Sequence, residues 1–259
     1  MTPAPLVTIV TPSFNQALFL EAALRSVFDQ DYSPIEYIVI DGASTDGSRE
    51  LIERHATRLA YWVSVPDRGQ TDAINKGFAE ATGVYLAWLN ADDRLKPQAV
   101  SEAVDYMQSH PEVGMVYGDA DYIDAQGRVV GRFPAAQTDY ARLRQGYVHI
   151  PQQASFWRAD LWRKIGPLDP SFNFAMDYDL WVRLARISKL HYLPRLWAEF
   201  RLHAVSKTIQ NDQQAWDEML KVHRREGGSW VAPIVAKYWV RRLVAPLIHA
   251  RRRWMLNQM

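Results

Sequence analysis

The chain has 259 residues, 48% apolar and 23% charged, which are the proportions of a folded globular protein and not of a disordered one. That length suits one large domain or two small ones. The absence of cysteine excludes a disulfide scaffold, a thiolate metal site, an iron–sulfur cluster and a cysteine nucleophile. The net charge is only +1, but it is unevenly spread: the first 226 residues hold 24 basic and 29 acidic side chains, and the rest hold six basic and no acidic ones. This is a mildly acidic body with a basic tail, and nucleic acid is not an expected partner. Pro3, Pro5, Pro12, Ser13, Asn15 and Gln16 interrupt the uncharged first 20 residues, and no basic region precedes them, so no signal peptide is expected. No run approaches the roughly 20 apolar residues needed to span a bilayer.

The first 120 residues alternate strand and helix patterns. Leu6 to Thr11 reads as a buried strand and Leu18 to Phe28 has helical spacing; Ile35 to Ile40 is a second strand, with a helix over about Gly47 to Ala56. Tyr61 to Val65, a helix near Thr71 to Ala81, a strand at Val84 to Leu89, a helix from Pro97 to about Ser109 and a strand at Val113 to Tyr117 complete the series. Such alternation implies a mostly parallel sheet covered by helices on both faces. In the second half Asp124-Ala125-Gln126-Gly127 reads as a turn between short strands and Pro151 to Trp157 as extended chain. Leu180, Trp181, Leu184 and Ile187 mark an amphipathic helix, Arg195 to Leu202 a strand, and Asp212 to Arg225 a long helix stopped by Gly227-Gly228. Most of the ten tryptophans, Trp181 among them, are expected in the core.

Ligands of open α/β sheets sit beyond the carboxyl ends of the strands. Four polar clusters fall there: Thr11-Pro12-Ser13-Phe14-Asn15, Asp41-Gly42-Ala43-Ser44-Thr45-Asp46, Asp67-Arg68-Gly69-Gln70-Thr71-Asp72 and Asn90-Ala91-Asp92-Asp93. Any one of them could be only a helix cap or a turn. Together they point to a polar ligand, with a hard divalent cation held by carboxylate oxygens. There is no G-x-G-x-x-G after the first strand, no P-loop, no H-E-x-x-H and no G-x-S-x-G elbow, which argues against a dinucleotide dehydrogenase, a P-loop kinase, a zincin and an α/β-hydrolase.

From about residue 6 to 208 the sequence resembles the family 2 glycosyltransferases, inverting enzymes of GT-A fold that use nucleotide-diphosphate sugars. The resemblance is carried by VTIVTPSFNQALFLEAALRSVFDQDY, EYIVIDGASTDGS, PDRGQTDAINKG, LAWLNADD, AMDYDLWVRLA and FRLHAVSKT. It implies an α/β fold of GT-A type: a single Rossmann-like domain, residues 1–226, with a mostly parallel central sheet. Residues 1–93 would form its nucleotide-binding half and 94–226 its acceptor half, followed by a basic helical tail, 227–259. It also implies that Thr11 and Pro12 line the nucleotide pocket, that Asp41 hydrogen-bonds the base, that Asp67 and Lys76 lie near the nucleotide, and that Asp72 and Asn75 lie around the diphosphate or sugar. The family's D-x-D is here Asn90-Ala91-Asp92, so the expected ligand of an Mn²⁺ or Mg²⁺ ion is Asp92, with His203 as a further ligand. Asp177 would be the general base that deprotonates the acceptor; it could instead cap the helix it precedes, and Asp179 is the other carboxylate of that segment. Gln152 and Gln153 are assigned to the acceptor side.

The partners so implied are a nucleotide-sugar donor and a saccharide or lipid-linked saccharide acceptor. The apolar residues of 230–254, interleaved with basic ones, would dock on an anionic membrane surface, giving a cytoplasmic protein peripheral on the membrane; packing on the body or on a second subunit is the other reading. A sugar-1-phosphate nucleotidyltransferase is disfavoured because TPSFNQ after the first strand holds neither glycine nor a basic residue. A non-catalytic binding protein is disfavoured because Asp92 and Asp177 are retained.

Overall fold

A computed structural model describes residues 3–203 and 212–242. Strands β1 (Val7–Ser13), β2 (Ile35–Asp41), β3 (Tyr61–Ser64) and β4 (Tyr85–Trp88) alternate with helices α1 (Ala17–Phe28), α2 (Ser48–Arg54) and α3 (Gln70–Ala79). Then come β5 (Arg94–Leu95), α4 (Ala99–Ser109), β6 (Val113–Ile123), β7 (Val129–Arg132), α5 (Tyr140–Leu143), β8 (Ser155–Arg158), α6 (Ala159–Ile165), α7 (Met176–Ile187), β9 (Lys189–Arg201) and α8 (Asp212–Arg225). The strands form one sheet in the order β3-β2-β1-β4-β8-β6-β9-β5, with β7 on β6. Its first four strands are parallel, and β8 joins them antiparallel to β4 and β6. This is the GT-A fold expected from the sequence.

Every residue of β1 is buried, as a β-branched run covered on both faces should be. On one face Leu20, Leu24, Ile52, Val100 and Val104 pack beneath the sheet. On the other, Phe78 of α3 meets a cluster of Trp88, Trp157, Trp162 and Trp181, in which the Trp88 and Trp181 rings stack at 5.9 Å. Helix α3 lies so close to β1 that a Cβ on Gly77 would stand 2.4 Å from Val10 Cγ1. Trp181, which is fully buried, is core as expected. Trp181→Ala should cost about 3–5 kcal/mol, the usual range for emptying a buried tryptophan site, and denaturant unfolding would measure it.

Several elements depart from the sequence expectation: β5 and α5 were not foreseen, and β9 begins at Lys189 instead of Arg195. Strand β6 continues past Tyr117 to Ile123, because Asp119 and Asp121, which end the apolar run, are partnered: Tyr192 Oη donates to Asp119 (2.7 Å) and Arg132 Nε to Asp121 (2.9 Å). The stretch from Pro151 makes one tight turn at Gln152–Ala154 before β8 starts, and α6 was not foreseen.

Helix α8 is fastened to α7 by Arg225 on Asp179 and by a Glu226–Arg186 pair just past its end. A helical stretch follows over 233–242, opened by Pro233. Its Ile234, Val235 and Tyr238 are buried in one cluster with Leu220, so part of the apolar surface expected to meet a membrane is covered by the chain itself. Trp230, Val231, Trp239 and Val240 remain exposed. The residues beyond 242, Trp254 among them, lie outside the described residues. Among the described residues, no helix is long and apolar enough to cross a membrane.

Candidate active site

A cleft of about 1110 Å³ opens beyond the carboxyl ends of β1, β2 and β4 and extends to the start of α7 and one face of α8. Pro12, Asp67, Asn90, Ala91, Asp92 and Asp177 all line it. Thr11, Asp41, Asp72, Asn75, Lys76 and His203, also singled out in the sequence, stand off the cleft wall. Thr11 is buried and shares a hydrogen bond with Tyr37 Oη (2.9 Å). Asp41 is fully buried, accepting from the Ser44 N–H (2.9 Å), Ser44 Oγ (2.5 Å) and Ser64 Oγ (2.6 Å). Asp72 is ion-paired with Arg68 (2.8 Å) and Lys76 (3.1 Å); the Arg68 hydrogen bond, then Lys76, pull its carboxyl down to about 2. Asn75 clamps the Leu168 backbone through both atoms of its amide, each at 2.9 Å.

Thr11, Asp41, Asp72 and Asn75 thus build the cleft without facing it. Asn15, at a positive φ of 51°, takes the Thr45 N–H on Oδ1 (2.9 Å) and gives its own N–H to Ser44 Oγ (2.8 Å). Asp46 accepts from the Ala17 and Ser48 N–H groups (2.9 and 3.0 Å), so the loops after β1 and β2 are zipped together. The zipped loops present Gly42, where a Cβ would lie 2.7 Å from Asp67 Oδ2 and 3.2 Å from the Phe14 ring.

At the end of β4, Asn90 is a connector. Its Oδ1 accepts from Gln70 Nε2 (2.8 Å), and its Nδ2 donates to Asp93 Oδ2 (3.1 Å) and Gln152 Oε1 (3.3 Å). Asp93 is fully buried, and that burial, reinforced by the Asp92 charge, raises its carboxyl well above the usual range. An aspartate at position 90 would set a further carboxylate against this one, where the asparagine supplies a donor. Gln152 donates to Trp88 O (2.7 Å) and Gln153 bonds Asp93, so both brace the strand end as well as lining the cleft.

Asp92 Oδ2 and His203 Nε2 are 2.9 Å apart. With a proton on Nε2, the buried Nδ1 has no hydrogen-bond partner among the described residues. The structure therefore pairs the two expected ligands, His203 spending one nitrogen on Asp92, instead of leaving both open to an ion. No group of three metal-ligating side chains occurs among the described residues. Protein ligation of a cation here would rest on this pair, with the remaining positions left to a ligand's oxygens or to water.

Asp177 lies in the first turn of α7. Ala175 holds the N-cap position and Asp177 Oδ1 accepts the adjacent Tyr178 N–H (2.6 Å), so Asp177 is not the N-cap residue. One side of Asp177 opens on the cleft; burial of the rest pushes its carboxyl up to about 6, opposed by the Tyr178 N–H and reinforced by the Glu218 charge. Asp179 is fully buried between Arg183 (2.9 Å) and Arg225, away from the cleft. Sequence reasoning missed Glu218, whose Oε2 accepts the N–H groups of Asn173, Phe174 and Ala175 at 3.0, 2.7 and 3.0 Å. Nothing in the charged helix that carries it distinguishes Glu218 from a solvated residue.

The profile of "Glycosyl transferase family 2" matches residues 8–163. An uncharacterized glycosyltransferase of Mycobacterium tuberculosis is 36% identical over 190 residues, 72% of this chain and 71% of that protein. A PGL/p-HBAD biosynthesis glycosyltransferase of Mycobacterium bovis is 30% identical over 184 residues, 70% of each chain. Among solved structures, residues 1–349 of S. aureus TarS in complex with UDP-GlcNAc superpose with a TM-score of 0.70 at 14% identity, covering 92% of this chain and 72% of that one. The mannosyltransferase PcManGT from Pyrobaculum calidifontis, in complex with GDP-Man and Mn²⁺, gives 0.63 at 18% identity over 98% of this chain and 81% of that one. A strand-end cleft of this composition on this fold, with matches of this extent, makes the chain an enzyme of the family 2 glycosyltransferases.

Proposed function

We propose that this glycosyltransferase moves a sugar from a nucleotide-diphosphate sugar, of the UDP or dTDP class, to an acceptor hydroxyl with inversion at the anomeric carbon. The acceptor would be a saccharide or lipid-linked saccharide of cell-surface polysaccharide or glycolipid synthesis. One observation carries the reading: a single cleft joins Asp92 at the end of β4 to a partly buried Asp177 at the start of α7. The UDP-GlcNAc bound by TarS, the GDP-Man and Mn²⁺ bound by PcManGT and the PGL pathway named for the mycobacterial relative support it. On this reading the nucleotide half runs to about residue 93 and the acceptor half to 226.

As the bond from the anomeric carbon to the diphosphate oxygen breaks, its electron pair stays on the diphosphate. The described cleft wall offers that charge Asp67, Asp92 and Asp177 but no lysine or arginine. Three carboxylates cannot neutralise a leaving diphosphate, so the chemistry calls for a divalent cation. Asp92 would hold it with the oxygen that His203 leaves free, and His203 would orient that carboxylate. Mn²⁺ or Mg²⁺ bound there would supply positive charge to the departing group. Asp177 accepts the proton of the acceptor hydroxyl as that oxygen attacks the opposite face of the sugar. A carboxyl near 6 is ionised at neutral pH yet still basic enough for the task. Activity should therefore fall as pH drops through about 6, and a kcat/KM–pH profile would show that limb.

A panel of nucleotide sugars, each with and without Mn²⁺ or Mg²⁺, tests the donor reading by thermal stabilisation. Selective, metal-dependent stabilisation by one of them is expected; no response to any nucleotide sugar or free nucleoside diphosphate would refute it. Gly42→Ala should weaken the response about tenfold in Kd, because the added methyl displaces Asp67 and Phe14. The tail's exposed Trp230 and Trp239, beside Lys237, Arg241 and Arg242, fit an anionic membrane surface. Replacing both tryptophans by serine should reduce flotation with anionic vesicles, and unchanged flotation would count against docking.

A further inference from the structure

We propose that Glu218 is a positioning residue for catalysis: from α8 it fixes the segment 173–175 and thereby the place of Asp177 in the acceptor half of the cleft. This rests on the reading of Asp177 as the base.

Three consecutive N–H groups converge on one oxygen of a carboxylate that is only 8% exposed. They belong to the segment that leads into α7, where the helix dipole favours an anion. Asn173, Phe174 and Ala175 form part of the cleft wall, and Asp177 follows two residues later. The other end of this strut is held as firmly. Glu218 Oε1 accepts from Gln214 Nε2 (3.1 Å), Lys221 Nζ donates to Ser171 Oγ (2.9 Å), and Arg225 of the same helix is paired with the buried Asp179. Ala215 and Met219, flanking Glu218 on α8, also line the cleft. The acceptor wall is thus assembled from α7 and α8 together, with Glu218 as the link nearest the base.

The charge of Glu218 is felt at Asp177, where it opposes ionisation. The other charged groups around Asp177 are accounted for: Asp179 is held between Arg183 and Arg225, Lys221 is turned to Ser171, and Asp67 and Asp92 lie elsewhere on the cleft wall. A glutamine at 218 can still accept the three N–H groups once the exposed Gln214 turns its amide over, but it brings no charge. An alanine does neither.

The test compares wild type, Glu218→Gln, Glu218→Ala and Asp177→Asn in the full chain. The Asp177 carboxyl is titrated by ¹³C NMR, its signal assigned by its loss in Asp177→Asn. Turnover is followed as UDP release from UDP-N-acetylglucosamine with p-nitrophenyl glycosides as acceptors. Asp177 should titrate near 6 in wild type and at lower pH in both Glu218 variants. Glu218→Ala should lose about 10²-fold in kcat/KM for the acceptor, the cost of a misplaced group near the chemistry, with donor affinity within about twofold of wild type. Glu218→Gln should recover most of that loss. If Glu218→Ala lowers only Tm, leaving the titration and acceptor kinetics unchanged, the proposal is overturned while Asp177 remains the base. An unmoved Asp177 titration in Glu218→Gln overturns it even where the alanine variant does not fold. Near-normal turnover in Asp177→Asn overturns the base reading and this inference together.

Discussion

Asp177→Asn should lower transfer by about two to four orders of magnitude, the usual worth of a general base, while leaving nucleotide-sugar binding nearly intact. The asparagine keeps the size and one carbonyl oxygen of the side chain but cannot take the acceptor's proton. The same substitution should make the protein more stable at neutral pH. Burial raises the Asp177 carboxyl from 3.8 to about 6, so the folded state holds this proton more tightly than the unfolded chain does. Folding then loses stability as pH rises through that window, and at pH 7 the cost is up to ~3 kcal/mol at ~1.4 kcal/mol per unit. Asparagine carries no such cost. Its stability gain over wild type should be absent below about pH 3.8 and complete above about pH 6. A variant both less active and more stable is the expected mark of a base held in an unfavourable site. Calorimetric melts at pH 4 and pH 7, alongside turnover, check both halves.

Removal of the Asp92 carboxylate is the second large effect. Asp92→Ala should cost about 10²–10³ in kcat, the loss expected when a group that stabilises developing negative charge is removed. EDTA should abolish transfer and added Mn²⁺ or Mg²⁺ should restore it in wild type but not in Asp92→Ala. His203→Ala should weaken the metal requirement's midpoint by about 10–100-fold, the scale of losing an orienting partner. Asn90→Ala should be milder in kcat, because the amide braces Gln70, Asp93 and Gln152 and brings no charge. Full turnover in chelator, after metal removal has been verified, would contradict this scheme.

The first 93 residues were legible in the sequence because their signals are local. A run such as VTIVT followed by helical spacing specifies β1 and α1 with little help from distant contacts, and the four polar clusters do meet at one sheet edge. Which side chain in a cluster faces the ligand was not legible. Asp41 and Asp67 both follow strands in polar loops, yet Asp41 is saturated by Ser44 and Ser64 while Asp67 lines the cleft. Spacing alone cannot separate a carboxylate that braces a loop from one that meets a substrate. Asp72 was hidden in the same way by its pairs with Arg68 and Lys76.

The residues after 93 were less legible because their contacts are remote. The limits of α8 were read correctly, but Glu218 meets backbone N–H groups 43 to 45 residues away in the chain. Only the tertiary fold makes it more than one charge in a polar helix. The tail shows the same limit. Helical spacing put Val231, Ile234, Val235, Tyr238 and Trp239 on one side, yet packing on α8 buries only Ile234, Val235 and Tyr238 and leaves Val231 and Trp239 exposed.

The most direct measurement of the central claim is the anomeric configuration of the transferred sugar, read by ¹H NMR from the coupling constant of its anomeric proton. A single cleft with Asp177 on the acceptor side predicts one displacement, so a donor with an α-linked sugar should give a β-linked product, with Asp177→Asn giving none at the same time point. An α-linked product, or a β-linked product formed equally fast without the Asp177 carboxylate, would contradict the account.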